Sequence, residues 1–415
     1  MFQKSVMVVA VAGAVGAGVT GAAFGQTTVG NVEIYGRLYP EFTVMSSSGA
    51  TPTTATIANG QLSNLSQAPT GLNLKSRNSI DASNSRIGFR GTENLGGGLK
   101  TVWQIEQKVT IDSGNSGALA NRDSFVGLEG AFGTVRLGNI TTVYKDNREP
   151  IRALVGTESG NTVSASNVLA SAPWAGASTF HLRRANSVRY ESPTLGGGLI
   201  VQAQYSPDEI RKVSPGTANL NGDLWSLGLK YERGPFWASL SHEIHNDMFG
   251  ASGSLPAAVA NSTGGAGDIH SKDTATRGVF AYKFGGARVS LSLSTINYTE
   301  SGTRAAGKFD NFKHNPWEIA WSQTWAPAIE TVVAYVGAPA GSCTLTGGVA
   351  CSTRGMDGKM LIVGASYSFS KRTALFAFYT KITNGASAMY NNAANAAVDA
   401  GGDMTNVSFG IKHDY

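Results

Sequence analysis

The chain has 415 residues and a formal net charge of +5; 15% of its residues are charged and 52 are glycine. Soluble domains average about 25% charged residues and about 7% glycine, so charge is scarce here and glycine abundant. Beyond the N-terminal region no run of about 18 or more apolar residues occurs, which excludes membrane-spanning helices. This composition favours a protein whose two surfaces face different solvents.

The first residues have the order of a secretory signal peptide. One cation, Lys4, precedes an apolar run of small residues at 5–17, and Ala23-Phe24-Gly25 is a small-x-small cleavage site. The alternative is a buried N-terminal helix, but strand-like alternation begins soon afterwards. The sequence therefore predicts a signal peptide over residues 1–25, export from the cytoplasm, and a mature domain over residues 26–415.

Beyond this region the chain reads as a series of short strands. About sixteen segments of roughly seven to twelve residues alternate apolar and polar side chains, and their connections alternate between tight turns and long loops. An even number of antiparallel strands with short turns at one end and long loops at the other is typical of outer-membrane barrels. Closure also removes the edges that an open sheet of this size would expose. The sequence predicts an all-β fold, a 16-stranded antiparallel transmembrane β-barrel.

Alternation also assigns side chains to the two faces of the barrel, because successive residues of a strand point to opposite sides. Val32, Ile34 and Leu38 form one apolar set, which places Arg37 on the other face. An unpaired charge that faces lipid at mid-bilayer costs about 2–4 kcal/mol, so a charged face implies a water-filled lumen. The predicted lumen residues are Arg37, Arg86, Arg90, Arg136, Arg189 and Glu106. For Glu106 the alternative is an ion pair with Arg90 or Lys100.

Residues 139–185 break the strand rhythm and show no sustained period. A structureless insertion longer than about 15 residues is uncommon in a compact domain and is usually functional. The prediction is a constriction loop that folds into the barrel mouth, with Asp146, Glu149 and Glu158 facing the arginines of the wall. Opposed charges would orient dipolar solutes, and the excess of basic residues predicts a mild preference for anions. The alternative is that some of these charges form structural pairs away from the narrowest level.

Several segments resemble the trimeric general porins of β-proteobacteria. The longest is SRIGFRGTENLGGGLK at residues 85–100, which is similar to the second hairpin of that family. Shorter matches are VEIYG (32–36), WQIE (103–106), FVGL (125–128), GTVRLG (133–138), NSVRYESP (186–193) and FGIKHDY (409–415). The resemblance implies a barrel whose third external loop folds inward, here after the fifth strand. It also implies a homotrimer among the outer-membrane lipids of a Gram-negative cell, which lets small hydrophilic solutes and ions diffuse passively.

The chain departs from this family at two points. Relatives commonly have Gly-Arg-Gln after the fifth strand, whereas this chain has Gly138-Asn139-Ile140. They usually end in Phe, whereas this chain ends in Tyr415, which keeps an aromatic carboxyl terminus. Because the arginine of the Gly-Arg-Gln motif is missing here, ion selectivity does not carry over from the family.

The remaining motifs point to neither a metal centre nor an enzyme. Cys343 and Cys351 lie in one loop, and in an oxidising compartment they favour a structural disulfide over free thiols. His242 and His245 are one residue short of the zinc-protease spacing, and they lie in a predicted strand that turns them to opposite faces. No metal, cofactor or nucleic acid is therefore expected. The alternatives to a diffusion channel are an adhesin and an outer-membrane barrel enzyme; for the enzyme, the six histidines form no evident Ser–His or Asp–His set.

Overall fold

The structure is a computed structural model that describes residues 32–114, 117–148, 163–174, 180–208, 222–261, 269–392 and 398–415. Residues 32–415 belong to one compact unit, and the predicted signal peptide lies outside the described residues. The strand segments are β1 (Val32–Leu38), β2 (Glu41–Ser48), β3 (Arg77–Asp81), β4 (Arg86–Gly96), β5 (Leu99–Lys108), β6 (Ser124–Gly130), β7 (Gly133–Thr141), β8 (Arg183–Glu191), β9 (Leu199–Pro207), β10 (Asp223–Arg233), β11 (Phe236–Asn246), β12 (His270–Phe284), β13 (Ala287–Ser301), β14 (Phe309–His314), β15 (Trp317–Ala326), β16 (Ile329–Ala338), β17 (Ser342–Leu345), β18 (Gly358–Ser368), β19 (Thr373–Asn384) and β20 (Asp403–Asp414). Two short helices, α1 (Val143–Asp146) and α2 (Ser166–Leu169), and two 3₁₀ turns, Ala251–Gly253 and Thr346–Gly348, complete the described elements.

Four pairs of these segments are halves of one barrel strand. Pro40 separates β1 from β2, yet both segments pair with β20. Pro316 separates β14 from β15, and both pair with β13. Proline has no N–H to donate to the ladder, so the pairing is interrupted there. Likewise β3 and β4 pair with the two halves β2 and β1, and β17 and β16 pair with β14 and β15. The twenty segments thus make the sixteen antiparallel strands that the sequence predicts.

The sheet closes on itself between its first and last strands. Arg37 of β1 pairs with Asp414, and Glu41 of β2 pairs with Gly410 of β20. Closure satisfies the backbone groups that an open edge would leave unpaired. The predicted fold class, an all-β closed barrel, is confirmed.

The outer face of the barrel is apolar, and over much of the barrel the inner face carries small or polar side chains. Along β11, Leu240 is 52% exposed while Ser239 and Ser241 on either side of it are buried. Along β20, Val407 and Phe409 are exposed while Ser408 between them is buried. Apolar side chains turned outward on every second residue are the pattern of strands that cross a bilayer. Among the described residues, no helix is long and apolar enough to span a membrane.

Three strand segments, β3, β14 and β17, lie in stretches without sustained alternation, which the sequence therefore predicts as parts of the long loops. In addition, β12 and β13 have 15 residues each, whereas a tilted strand crosses the bilayer with about 9–11. Above the membrane both faces of a strand meet water, so the alternation that reveals a strand is lost there. The sequence therefore underestimates how far the barrel extends on its long-loop side.

Candidate channel constriction

The long insertion between β7 and β8 occupies residues 142–182, because β7 continues to Thr141 and β8 begins at Arg183. The predicted loop, 139–185, is thus three residues too long at each end, where β7 and β8 continue. Helix α1 opens the insertion. The side chain of Thr142 accepts a hydrogen bond from the backbone N–H of Lys145, which caps the helix at its start.

Hydrogen bonds fasten the end of α1 to the inner wall at β9 and β11. The Nδ2 group of Asn147 donates to Oε1 of Gln202 (2.8 Å) and to Oγ of Ser241 (3.2 Å). The hydroxyl of Ser239 donates to the backbone oxygen of Asn147 at 2.8 Å. All four side chains are buried. The start of the loop is therefore folded inside the lumen.

The wall is also shaped to receive α1. The hydroxyl of Ser226 on β10 accepts a hydrogen bond from the backbone N–H of Tyr144 at 2.9 Å. At Gly228, two residues further along β10, an added Cβ would lie 2.5 Å from side-chain atoms of Val143 and Asn147. Only glycine leaves room for the helix at this position, so the sequence of β10 is fitted to the docked loop.

A partly buried ion pair holds the same part of the loop to β8. Nη2 of Arg189 lies 2.8 Å from Oδ2 of Asp146, and Nη1 donates to the backbone oxygen of Thr141 at 2.9 Å. The side chain of Arg189 is 3% exposed and that of Asp146 is 33% exposed. The structure therefore places Arg189 under the loop as an anchor, whereas the sequence predicts it on the water-facing wall.

The second half of the insertion packs on a different sector of the barrel. Val168 and Leu169 of α2 belong to a buried apolar cluster with inward residues of β16 and β18, such as Val336 and Met360. Further on, the ring of Trp174 meets the ring of Phe312 at 5.0 Å between centroids. The loop thus contacts β9–β11 through α1 and β16 and β18 through α2.

Other loops cover the mouth above this apolar sector. Leu65, in the loop between β2 and β3, is fully buried in the cluster that contains Trp174 and Phe180 of the insertion. Nε2 of Gln67 in the same loop donates to the backbone oxygen of Ser254 at 2.6 Å. Loops therefore cover the lumen beside β11–β19, where charged side chains such as Glu243, Asp273 and Arg277 are buried. The partly exposed, charged part of the lumen lies beside β1 and β4–β8.

This charged part, here called the arginine wall, consists of inward side chains of β1, β4, β5, β7 and β8 together with Arg122 and Asp123 just before β6. Its centre is Glu106, which is buried. Nε of Arg122 lies 2.5 Å from Oε1 of Glu106, and Nε of Arg86 lies 3.5 Å from Oε2. The hydroxyl of Tyr35 donates to Oε2 at 3.1 Å. One carboxylate thus holds two arginines in place.

The partners proposed for Glu106 from the sequence are engaged elsewhere. Arg90 forms two hydrogen bonds with Glu33, at 2.8 and 2.6 Å, in a pair that is half exposed. Nζ of Lys100 lies 3.6 Å from Glu129. Both pairs lie near the short-turn end of the barrel, away from the docked loop.

Further ion pairs continue the arginine wall on both sides. Arg37 and Lys412 both lie 2.7 Å from the carboxylate of Asp414. Arg136 lies 3.5 Å from Oε2 of Glu191, and the same oxygen is 3.4 Å from Arg189. Arg183 pairs with Asp123 in addition. Together these described pairs contain seven basic side chains and five carboxylates, an excess of two positive charges.

Asp123 ties the strand wall to the return end of the insertion. Arg183 donates to both of its carboxylate oxygens at 3.1 Å, and the N–H and hydroxyl of Thr141 donate at 2.6 and 2.9 Å. Burial raises the pKa of Asp123, but the hydrogen bonds and charge of Arg183 outweigh it and keep the pKa below its ordinary value. The carboxylate therefore stays charged at neutral pH and holds both ends of the loop.

The predicted site residues thus have several fates. Arg37, Arg86, Arg136 and Glu106 lie in the arginine wall, Arg90 lies in a separate pair, and Asp146 binds Arg189 directly instead of facing it across water. Glu149 and Glu158 lie outside the described residues. Sequence reasoning missed Arg122, Asp123, Arg183, Glu191, Lys412 and Asp414. Only Glu191, Lys412 and Asp414 carried a usable signal, since these three alternate with outward residues of a strand.

The disulfide and the pair of His245 with Glu243 do not take part in the arginine wall. Cys343 and Cys351 are joined by a disulfide with 5.6 Å between their Cα atoms, and they pack against the cluster of Trp174. His245 and Glu243 are both fully buried and 2.9 Å apart. Within the described ranges, no group of three or more His, Cys, Asp or Glu is arranged to hold a metal ion.

A closed barrel that is apolar outside and charged inside, with a long loop docked in its lumen, defines an outer-membrane barrel with a narrowed interior. The chain belongs to the Gram-negative porin family, whose model matches residues 7–387. It is therefore a protein of the outer membrane.

Individual relatives agree with this assignment. The major outer membrane protein P.IB of Neisseria lactamica is 36% identical over 155 residues, which is 37% of this chain and 40% of that relative; the alignment thus spans less than half of the relative. The anion-selective porin from Comamonas acidovorans matches with a TM-score of 0.66 and 22% identity over 92% of this chain and 99% of that one. The trimer form of in-vitro folded OmpT from Vibrio cholerae matches with a TM-score of 0.60 and 14% identity over 92% and 99%. At these identities the two structures establish the shared fold alone.

Proposed function

We propose that this protein is a porin that forms a water-filled channel for the passive diffusion of small hydrophilic solutes and ions. The observation that carries the proposal is the position of the docked loop. Its start, up to Asn147, is hydrogen-bonded inside the lumen, and α2 packs on the apolar sector. We infer that the charged lumen between α1 and the arginine wall is the route for water.

We further propose that the channel prefers anions mildly. Seven basic side chains share five carboxylates along the arginine wall and its flanks. Most arginines are ion-paired, which weakens their field and makes the preference modest. The screening length at physiological salt is about 8 Å, so this charge acts on ions only near the narrowest level. A solved structure of the same fold is that of an anion-selective porin, which is compatible with this sign.

Homotrimeric assembly and removal of residues 1–25 complete the proposal. The apolar outer face allows either lipid or a second copy of the barrel to lie against it, and a protein of the same fold is known in a trimer form. Cross-linking of the detergent-solubilised protein would show three linked copies, and N-terminal sequencing would begin at Gln26. A single copy or an uncleaved leader would reject the respective part.

The channel itself is tested with purified protein in planar lipid bilayers. Stepwise conductance is expected, and a salt gradient across the bilayer should give a small reversal potential with the sign of anion preference. Absence of conductance would reject the channel and favour an enzyme or adhesin, since neither needs an open lumen. Conductance with clear cation preference would keep the channel and reject only the selectivity.

A further inference from the structure

Three inward basic side chains of the arginine wall lie side by side on neighbouring strands. Arg37 of β1 is opposite Arg86 of β4, and Arg86 is opposite Lys108 of β5. Neighbouring strands are about 4.8 Å apart, so the three side chains form a continuous row, here called the cation row. Lys108 is partly exposed, and its Nζ donates to the hydroxyl of Ser83 at 3.1 Å. None of the ion pairs in the part of the chain that the structure describes includes Lys108.

The cation row keeps a positive excess when its charged neighbours are counted. Five basic side chains and four carboxylates lie in or next to it: Arg37, Arg86, Lys108, Arg122 and Lys412, with Glu106, Asp414, Glu41 and Asp81. Glu41 and Asp81 lie beyond the row towards the long loops, and both are buried. The flanking pairs, Arg183 with Asp123 and Arg90 with Glu33, are neutral. An anion is therefore favoured here, and Lys108 can bind it without giving up a carboxylate.

An aromatic ring lies next to the cation row on its short-turn side. Tyr35 on β1 is opposite Gly88 on β4, and both are two residues from the row. The ring lies over Gly88, where an added Cβ would overlap it, and its hydroxyl donates to Glu106, two residues from Lys108 on β5, at 3.1 Å. Arg90, one step nearer the short turns, has its Cζ 4.8 Å from the ring centroid. The ring is thus held in place while part of it stays exposed to the lumen.

A fixed ring beside a cation without an acidic partner suits a solute that carries both a ring and a carboxylate. Ammonium and guanidinium groups bind carboxylates through charge-assisted hydrogen bonds, and residues two apart on a strand are about 7 Å apart. One small molecule can therefore reach both features. We propose that the cation row and Tyr35 form a subsite for aromatic carboxylates, with the carboxylate on Lys108 and Arg86 and the ring against Tyr35. The subsite rests on the proposed channel function, whose solute class it narrows.

The test compares benzoate with cyclohexanecarboxylate, which has the same charge and a similar size but no aromatic ring. Binding to the detergent-solubilised full-length protein is measured at neutral pH by saturation-transfer NMR, which does not require conduction. In parallel, each acid is titrated as a blocker of the single-channel current in KCl. The wild type should bind benzoate roughly two- to tenfold more tightly than cyclohexanecarboxylate, the range expected for one contact between aromatic rings.

Tyr35→Phe and Tyr35→Leu are the matched variants. Both lose the hydroxyl bond to Glu106, but only the leucine variant loses the aromatic face. Tyr35→Phe should keep the preference for benzoate, and Tyr35→Leu should abolish it. Lys108→Gln should weaken the binding of both acids about fivefold, because it removes one attraction between unit charges in a solvated site. Heat-modifiable mobility on gels confirms that each variant is folded.

Equal binding of the two acids by the wild type, or the wild-type preference in Tyr35→Leu, would overturn the ring contact. Loss of the preference in both variants of Tyr35 would assign it to the hydroxyl and would overturn the ring contact as well. Unchanged binding in Lys108→Gln would overturn the position of the carboxylate. Absence of conductance in KCl would reject the channel instead, and the NMR measurement would still decide the subsite.

Discussion

The partly buried pair between Arg189 and Asp146 offers a direct test of how the constriction loop is held. In Arg189→Gln the charge-assisted hydrogen bond to Asp146 and the bond to the backbone oxygen of Thr141 are both lost. Breaking a buried ion pair costs about 3–5 kcal/mol when the remaining charge stays buried. Asp146 is one-third exposed, so water can replace part of the lost interaction. We therefore expect a cost of about 2–3 kcal/mol to loop docking.

This cost corresponds to a roughly 30- to 150-fold rise in the ratio of undocked to docked loop. The backbone pairing of β7 with β8 does not involve the lost side-chain bonds, so the barrel stays folded, and the hydrogen bonds of Asn147 to β9 and β11 still hold part of the loop. The assay is single-channel recording in planar bilayers. Arg189→Gln should show more open-channel noise and more frequent conductance steps than the wild type. Arg189→Lys keeps the charge but cannot bridge the same two acceptors, and an intermediate result is expected.

Arg90→Gln is the matched control, because it removes the same charge from the lumen without touching the loop. The pair of Arg90 with Glu33 is half exposed, and such pairs contribute about 0–1 kcal/mol. Its open-channel noise should match that of the wild type. If Arg189→Gln and Arg90→Gln behave alike, the ion pair of Arg189 does not hold the loop and the reasoning is wrong.

Three further changes probe the same region. Glu106→Gln removes the carboxylate shared by Arg86 and Arg122, so the reversal potential should move towards stronger anion preference; a shift towards cations would contradict the excess of positive charge. Gly228→Ala places a Cβ 2.5 Å from the side chains of Val143 and Asn147, so it should displace α1 and raise the conductance. Gly278→Ala adds a Cβ that meets nothing within 4 Å and should leave the conductance unchanged. Equal conductance of the two variants would show that Gly228 is not needed for docking of α1. Burial, and then the charges of Lys145 and Arg148, lower the pKa of His181 well below 6.5. The docked loop is therefore fully stable above about pH 6.5. As the pH falls towards the lowered pKa, the equilibrium constant for loop docking falls by up to about tenfold per pH unit. Conductance noise should rise on acidification in the wild type and less in His181→Gln, and the same rise in both would exclude His181 as the cause.

The barrel could be predicted from the sequence because lipid imposes a strict rule on every second residue. Leu240 and Phe409 are outward for the same reason that Arg37 and Arg86 are inward. The rule holds only within the bilayer. It failed for β3, β14 and β17, where water lies on both sides and either face of a strand accepts polar residues.

The partners of the charged residues could not be predicted in the same way. Glu106 has both Arg86 and Arg90 within two residues of its opposite position on β4, so register alone does not choose between them. Glu106 also pairs with Arg122, which lies just before β6, outside the regular strand. The alternation of the strands therefore does not reveal this partner. Arg189 alternates like a lumen residue, but the loop that buries it comes from a segment without a repeating pattern.

The sequence does contain one indication that the inner face of β16, β18 and β19 is covered. Strands β16, β18 and β19 are apolar on both faces: Val336, Met360 and Phe376 point inward and are buried, while Val333 and Val363 point outward and are exposed. An inner face that met water would not carry such residues, because leaving a large apolar side chain exposed costs about 1.5–3 kcal/mol. Strands that are apolar on both faces therefore indicate that another segment lies over the inner face. Here that segment is α2 of the insertion, which packs on β16 and β18. In the proposed channel this cover leaves the side of the arginine wall as the route for water, so a small excess of charge would act across a narrower space than the barrel alone would give.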